Sequence, residues 1–411
     1  MTLAQAQVPN SLKWQLEDPR AGHLSFYGKS VAVSGNWVVI GSPNEDTGGK
    51  GTGSAYIYDL SSPTSAKPAI VLHNPRAKGN EAFGYTVAIS GTWVAIGVPE
   101  SDDETMRDVG RVEIYNLAGS APARPVMTVQ NPTPQANDNF GWSLGFADGW
   151  LVVGAPKDDT GAIDAGCVYL YNLASETPTQ PAETLSNPAP DASDNFGVTV
   201  AAAGEWIAVG SHDEKNPGSS IAGRVYLYNR SLRKLTKPTI VLRNPSPDTN
   251  NRFGSVLALS ADRLAVGAPF ERNGLKAGGT VFVYDLWYAN AALSAVLMNP
   301  GSYPDERFGL SLGVAGKLVV VGLLTSDGKA YLYDMESAAP TKPVATLGPP
   351  YPGKKGFSHS VAIDAGTVVV GALDESPQEK GAASVFRAPT ENGSAADQPT
   401  AVTPPARQSA H

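Results

Sequence analysis

The sequence predicts an all-β protein, a seven-bladed β-propeller built from four-stranded antiparallel blades. Three observations predict this fold: a composition rich in turn residues, a motif that recurs seven times, and short apolar segments between the recurring landmarks. The 411 residues include 43 Gly and 33 Pro, while 42% are apolar. A chain this apolar can build a core. Its many Gly and Pro residues favour short strands joined by turns over a helical bundle.

An aromatic residue opens each repeat, and glycine follows it in the first six copies. A second glycine stands fourteen residues after every opening aromatic. A proline stands eight residues before every opening aromatic. A later aromatic residue closes each repeat. The proline, the opening aromatic, the second glycine and this later aromatic recur in the same order seven times, which indicates one repeat array and therefore one domain. The opening aromatics are Tyr27, Phe83, Phe140, Phe196, Phe253, Phe308 and Phe357.

Each repeat contains four predicted strands, named A to D in chain order. In the second repeat, strand A covers residues 86–90, strand B 93–97, strand C 111–115 and strand D 125–129. Strand B is apolar on both of its faces, so both faces of each sheet must be covered. Neighbouring blades of a propeller provide this cover.

The two ends of the chain indicate how the ring closes. The last repeat has no segment like strand D, whereas residues 12–19 precede the first repeat and align with the D-strand segments 70–75 and 240–245. We therefore expect the N-terminal strand to close the last blade, which leaves no open edge there. The propeller is expected to span residues 10–388, with a flexible N-terminus at 1–9 and a disordered tail or linker at 389–411.

The repeated residues resemble FG-GAP repeats, which are named for Phe-Gly and Gly-Ala-Pro. Phe140-Gly141 with Gly154-Ala155-Pro156, and Phe253-Gly254 with Gly267-Ala268-Pro269, carry the resemblance best. Such repeats build the propeller of integrin alpha chains and of many bacterial surface proteins. The resemblance implies a cell-surface or secreted binding module with a role in adhesion.

The chain departs from the integrin type in the turn between strands A and B. In that type this turn often carries a calcium loop of Asp-x-Asp-x-Asp-Gly pattern. In this chain the turn is three residues long, as in Ser90-Gly91-Thr92, and cannot supply the roughly six to eight oxygen ligands of Ca²⁺. We therefore predict no cofactor and no metal in these turns, and leave Ca²⁺ open for the B–C loops.

Only the segment that contains the B–C loop varies markedly in length between repeats. In an up-and-down blade, this loop lies on the same face as the D–A connection, and binding residues concentrate on loops held by a rigid scaffold. The acids of this rim suit a cation or a basic partner, or they cap turns. The candidate ligand-binding residues are Asp46, Glu100, Asp102, Asp158, Asp159, His212, Asp213, Glu271, Asp327, His23 and His359.

Other residue types give narrower expectations. Four tryptophans recur ten residues after an opening aromatic, which indicates packing between blades rather than sugar binding, while Trp142 is a candidate for the pore or rim. Cys167, the only cysteine, is expected to be half exposed and excludes an intramolecular disulfide. His23 lies in the connection that enters blade 1, and His359 lies in the neighbouring blade 7; an acid/base pair would depend on these two residues.

The favoured function is non-enzymatic recognition of a protein partner through the rim. A carbohydrate-binding propeller and an enzyme with a pocket at the channel mouth near blades 7 and 1 remain alternatives, because propellers host many activities. The net charge of −8 gives no basic footprint for nucleic acid, and no apolar run is long enough to insert into a membrane. We expect a monomer that is extracellular or at the cell surface, although no signal sequence is visible.

Overall fold

The computed structural model describes residues 12–20, 24–214, 223–232, 235–245, 251–273, 276–287, 290–301, 306–324, 328–349, 356–373 and 381–389. Within these residues the regular structure is entirely strand, with no helix. The described part of the chain therefore offers no helix that could span a membrane. The expected flexible N-terminus, all but the first residue of the expected tail, and the candidates His23 and Asp327 lie outside it.

The strands follow the predicted repeat, blade by blade. The N-terminal strand is β1 (Leu12–Glu17). Blade 1 is β2 (Ser30–Ser34), β3 (Trp37–Ser42), β4 (Ser54–Asp59) and β5 (Ile70–His73); blade 2 is β6 (Val87–Ser90), β7 (Trp93–Val98), β8 (Arg111–Asn116) and β9 (Met127–Gln130). Blade 3 is β10 (Ser143–Ala147), β11 (Trp150–Ala155), β12 (Cys167–Asn172) and β13 (Glu183–Ser186); blade 4 is β14 (Thr199–Ala203), β15 (Trp206–Ser211), β16 (Arg224–Asn229) and β17 (Ile240–Arg243).

The remaining blades keep the same order. Blade 5 is β18 (Val256–Leu259), β19 (Arg263–Ala268), β22 (Thr280–Trp287) and β23 (Asn290–Met298), with the short hairpin β20 (Arg272–Asn273) and β21 (Lys276–Ala277) in its B–C loop. Blade 6 is β24 (Ser311–Ala315), β25 (Leu318–Gly322), β26 (Ala330–Asp334) and β27 (Ala345–Leu347); blade 7 contains β28 (Phe357–Asp364), β29 (Thr367–Ala372) and β30 (Ala382–Arg387).

The seven blades form a closed ring. The first strands of neighbouring blades contact each other all the way round, including β28 of blade 7 with β2 of blade 1, so these strands lie innermost. Blade 7 is completed by β1, which pairs antiparallel with β30, Gln15 opposite Ser384 and Leu16 opposite Ala383. The predicted seven-bladed fold and its closure by the N-terminal strand are therefore confirmed.

The core lies between the blades. One cluster joins Val39 and Ile57 of blade 1 to Val94 and Tyr115 of blade 2, and similar clusters fill the other junctions. The opening aromatics are at most 1% exposed, so they contribute fully to this burial, which is the dominant stabilising term of such a fold. The recurring tryptophans also pack against these clusters, as expected; Trp206 is a buried member of one of them.

The recurring glycines mark the closest approach between blades. A Cβ added to the glycine fourteen residues after each opening aromatic would lie 2.0–2.5 Å from a carbonyl oxygen of the next blade. That oxygen belongs to the residue after the next opening aromatic, such as Gly84 for Gly41 and Gly28 for Gly371. Only glycine fits so close a backbone contact. The two halves of the motif therefore meet across a blade junction, not within one blade.

Cys167 differs from the expectation. Its side chain is fully buried rather than half exposed, because β12 is covered on both faces. The thiol lies 3.4 Å from the carbonyl oxygen of Leu185, and burial raises the pKa of this thiol to about 12. The cysteine is therefore part of the core and unreactive in the folded chain.

Candidate functional site

The B–C loops and the D–A connections lie together on one face of the ring, which we call the loop face. Backbone hydrogen bonds join them in a repeated pattern: the amide of Asn80 donates to the carbonyl of Lys50, and that of Phe83 to Thr52. The same pattern joins Asn139 to Asp108, and it recurs between blades 3 and 4. From blade 1 to blade 4, each D–A connection is therefore held by the B–C loop of the preceding blade, which makes this part of the face rigid.

The exposed acids of the loop face accept hydrogen bonds from backbone amides of their own loops. Asp46 accepts a hydrogen bond from the amide of Gly51 at 2.8 Å, Asp102 from that of Asp108 at 2.9 Å, and Asp159 from that of Asp164 at 2.9 Å. All three acids occupy the same place, five residues after the recurring glycine. Their side chains remain exposed, so they set the loop conformation and also give this face its negative charge.

Two other candidate acids are buried. Asp158 is 2% exposed and accepts hydrogen bonds from the Tyr169 hydroxyl at 2.7 Å and the amide of Thr160 at 2.9 Å. Glu271 is 3% exposed and accepts one from the Asn244 amide at 3.3 Å. Equivalent tyrosines, Tyr56 and Tyr226, donate to the equivalent buried acids of blades 1 and 4. These carboxylates stabilise the blades from within and are not available to a large partner.

His212 and Asp213 belong to a cleft of about 190 Å³ between blades 3, 4 and 5, which Trp142 also lines. The imidazole Nδ1 lies 3.0 Å from Asp213 Oδ1, and the guanidinium of Arg252 lies 3.5 Å from the same oxygen. The amide of Asn195 donates to the other oxygen at 3.0 Å. Hydrogen bonds and these two basic groups outweigh burial and lower the pKa of Asp213, so this carboxylate stays charged.

A row of side chains follows the opening aromatics at the mouth of the central channel. Lys29, Tyr85 and Trp142 each stand two residues after an opening aromatic, just before an innermost strand. The Lys29 ammonium lies 5.2 Å from the centre of the Tyr85 ring, and the rings of Tyr85 and Trp142 lie 4.7 Å apart. The two rings are tilted by 42° to each other, so Trp142 packs against Tyr85 at the loop-face end of the innermost strands.

His359 occupies the same place in blade 7. Burial and the positive charge of Lys29 lower the pKa of its imidazole to about 4, while a backbone contact with Lys29 acts in the opposite direction. The imidazole is therefore neutral at neutral pH, and its buried Nδ1 has no hydrogen-bond partner among the described residues. Two basic residues of neighbouring blades, His359 and Lys29, therefore lie close together.

A second cleft, of about 260 Å³, opens beside this row between blades 7, 1 and 2. Its apolar walls include Phe26 and Leu373, and its charged groups are Lys29 and Glu100. Burial raises the pKa of Glu100, and the negative charge of Asp108 adds to this effect. Of the candidates taken from the sequence, only Glu100 lines this cleft.

The sequence pattern missed Lys29 and Tyr85, because the place after the aromatic-glycine pair holds a different residue type in each blade. The signal that could have found them is their offset from the opening aromatic, which places them at the channel mouth once the fold is known. No group of three His, Cys, Asp or Glu side chains in the described ranges is arranged to hold a metal ion.

Comparison with known proteins agrees with the fold. The family model of the FG-GAP repeat matches residues 21–58, 134–171 and 184–228. Among solved structures, the crystal structure of RRP9 WD40 repeats is similar, with a TM-score of 0.59 and 13% identity over 93% of this chain and 98% of that one. This likeness shows the fold alone. A search of curated proteins finds no match.

Proposed function

Because the chain is a seven-bladed propeller of FG-GAP repeats, we propose that it is a non-enzymatic protein-interaction module that binds its partner through the loop face. The observation that carries this proposal is the rigid loop face itself, where backbone hydrogen bonds preorganise the segments that vary in length. A preorganised surface spends little free energy on ordering when it binds.

The part of the loop face on blades 2 and 3 is the best candidate for the contact. Ile163, in the B–C loop of blade 3, is 69% exposed, and Asp159 of the same loop is also exposed. On blade 2, Asp102 and Asp103 are exposed as well. An apolar side chain among acids suits a partner with a basic surface around an apolar pocket, because opposite charges guide association and buried apolar contacts stabilise it.

The experiment compares the wild-type chain with loop-face variants in a crosslinking capture from the cells that make the protein. We expect Ile163→Asp, and separately the double charge reversal Asp102→Lys/Asp159→Lys, to lose the proteins that the wild type captures. The control is Glu176→Lys/Glu336→Lys, two exposed acids of the C–D loops on the opposite face, which should retain them. Equal capture by all chains, or none by the wild type, would overturn the proposal.

We propose further that the protein acts as a monomer outside the cell or at its surface. The family resemblance supports this location. No feature of the described residues assigns a compartment. Fractionation of the producing cells tests it: the protein should be accessible to protease added to intact cells, and full protection would contradict the assignment.

A further inference from the structure

Lys29 has no counter-ion in the described part of the chain. Its side chain is half buried at the channel mouth, its ammonium lies 5.2 Å from the centre of the Tyr85 ring, and no carboxylate oxygen of the described residues lies within 4.0 Å of it. Burial lowers the pKa of this lysine. A charged group removed from water without a partner costs free energy, so an anionic group brought into the cleft would be favoured.

Glu100 is the opposite case in the same cleft. Its carboxylate is half buried and has neither a hydrogen-bond donor nor a basic side chain in the described residues. Glu100 and Tyr85 line the cleft together. Burial raises the pKa of the Tyr85 hydroxyl, and the negative charge of Glu100 adds to this effect. Lys29 and Glu100 thus line one cleft around Tyr85 without pairing with each other.

The remaining walls define what fits between these charges. Phe26 and Leu373 supply apolar surface, and Asn44 and Asn80 are polar residues of the lining. A volume of about 260 Å³ is slightly below the range of pockets that hold drug-sized ligands. The cleft therefore suits a small molecule rather than a folded partner or a long peptide.

We propose that this cleft binds a small zwitterion of the size of an amino acid or dipeptide, with its carboxylate on Lys29 and its ammonium on Glu100. The two unpaired charges of opposite sign select a ligand that carries both, and Phe26, Tyr85 and Leu373 favour an apolar side chain. Glu100 lies in the same blade-2 loop as Asp102, but neither Lys29 nor Glu100 is one of the side chains proposed to contact the partner, so this site does not depend on the protein-interaction role.

The first experiment measures binding of free leucine, free phenylalanine and the dipeptide Leu-Leu to the full chain by calorimetry, with phenylalanine amide and N-acetylphenylalanine as matched probes. We expect at least one zwitterion to bind with a millimolar or lower dissociation constant. The amide lacks the carboxylate and the acetyl derivative lacks the ammonium, so each should bind about 30-fold more weakly. This is the lower end of the loss when one partner of a buried charge pair is removed, as suits half-buried charges.

The second experiment tests the residues. Lys29→Met and Glu100→Gln keep the shape of the cleft and remove its charges, so both should lose the zwitterion, whereas Lys157→Met, an exposed lysine of the same face, should bind as the wild type does. Because neither cleft charge is paired with an opposite charge, the midpoint of thermal unfolding of both variants should be no lower than that of the wild type. Three results would overturn the proposal: no zwitterion bound at millimolar concentration, equal binding of the amide or the acetyl derivative, or unchanged binding in both variants.

Discussion

Gly371 of the last blade packs against Gly28 of the first, and a Cβ on Gly371 would lie 2.4 Å from the Gly28 carbonyl oxygen. The hydroxyl of Ser360 donates to the same oxygen at 2.7 Å. An equivalent hydroxyl makes this bond at five of the seven blade junctions, at 2.7–3.0 Å. The glycines of the repeat motif therefore form the close contacts between neighbouring blades. The contact of Gly371 with Gly28 is the one that closes the ring.

Gly371→Ala should destabilise the closed ring. The added methyl group must displace backbone of blade 1, and overpacking of this kind costs about 1–3 kcal/mol of unfolding free energy. Gly348→Ala is the control, since nothing lies within 4 Å of a Cβ there and its φ is not positive. Urea unfolding monitored by tryptophan fluorescence measures both variants. A Gly371→Ala chain as stable as Gly348→Ala would contradict the close contact.

The sequence predicted the architecture because each blade repeats the same landmarks, and the N-terminal strand could be assigned by its alignment with D strands. It did not predict that Asp158 is buried, because that depends on the Tyr169 hydroxyl reaching a loop from a neighbouring strand. The recurrence of acids four residues after the glycine, as at Glu45 and Glu271, was the available signal. A place that repeats between blades serves the fold, whereas the ligand site proposed here uses places that differ between blades, such as Lys29 and Tyr85.

Cys167 should be protected in the folded protein. The thiol is fully buried, and its pKa is raised to about 12 by burial and by the charge of Asp158, so little thiolate is present to react. A thiol reagent such as DTNB should label the native chain very slowly and the urea-unfolded chain at once. Rapid labelling of the native chain would show that β12 is not covered on both faces.

Arg111 should be essential to the stability of blade 2. Its guanidinium lies 3.2 Å from Glu81 and 3.0 Å from Glu113, and all three side chains are buried. Removing one member of such a group leaves buried charges unpaired, at a cost of about 3–5 kcal/mol. Arg111→Met should therefore lower the unfolding free energy strongly, and adding Glu113→Gln should restore part of it. Arg124→Met, at an exposed arginine of the same blade, is the control; equal effects of the two arginine variants would contradict the burial of this cluster.

Asp138 makes the stability depend on pH. It is 1% exposed, and one carboxylate oxygen accepts from the Asn131 side chain and the Gln135 amide at 2.7 Å, while the other has no partner among the described residues. Burial raises its pKa from 3.8 to about 6. The folded chain thus binds this proton more tightly than the unfolded chain does.

Asp138→Asn should remove that dependence. A group whose folded pKa is raised contributes its full stability below pH about 4, and this contribution is lost as the pH rises through about 6. The unfolding free energy of the wild type minus that of Asp138→Asn should therefore decrease between those two pH values and stay constant above them. Urea titrations across this range measure the difference. Gln135→Ala, a non-titrating change at an exposed side chain of the same connection, should give a difference from wild type that is independent of pH. A flat profile for Asp138→Asn would mean that the carboxylate is not buried in the folded chain.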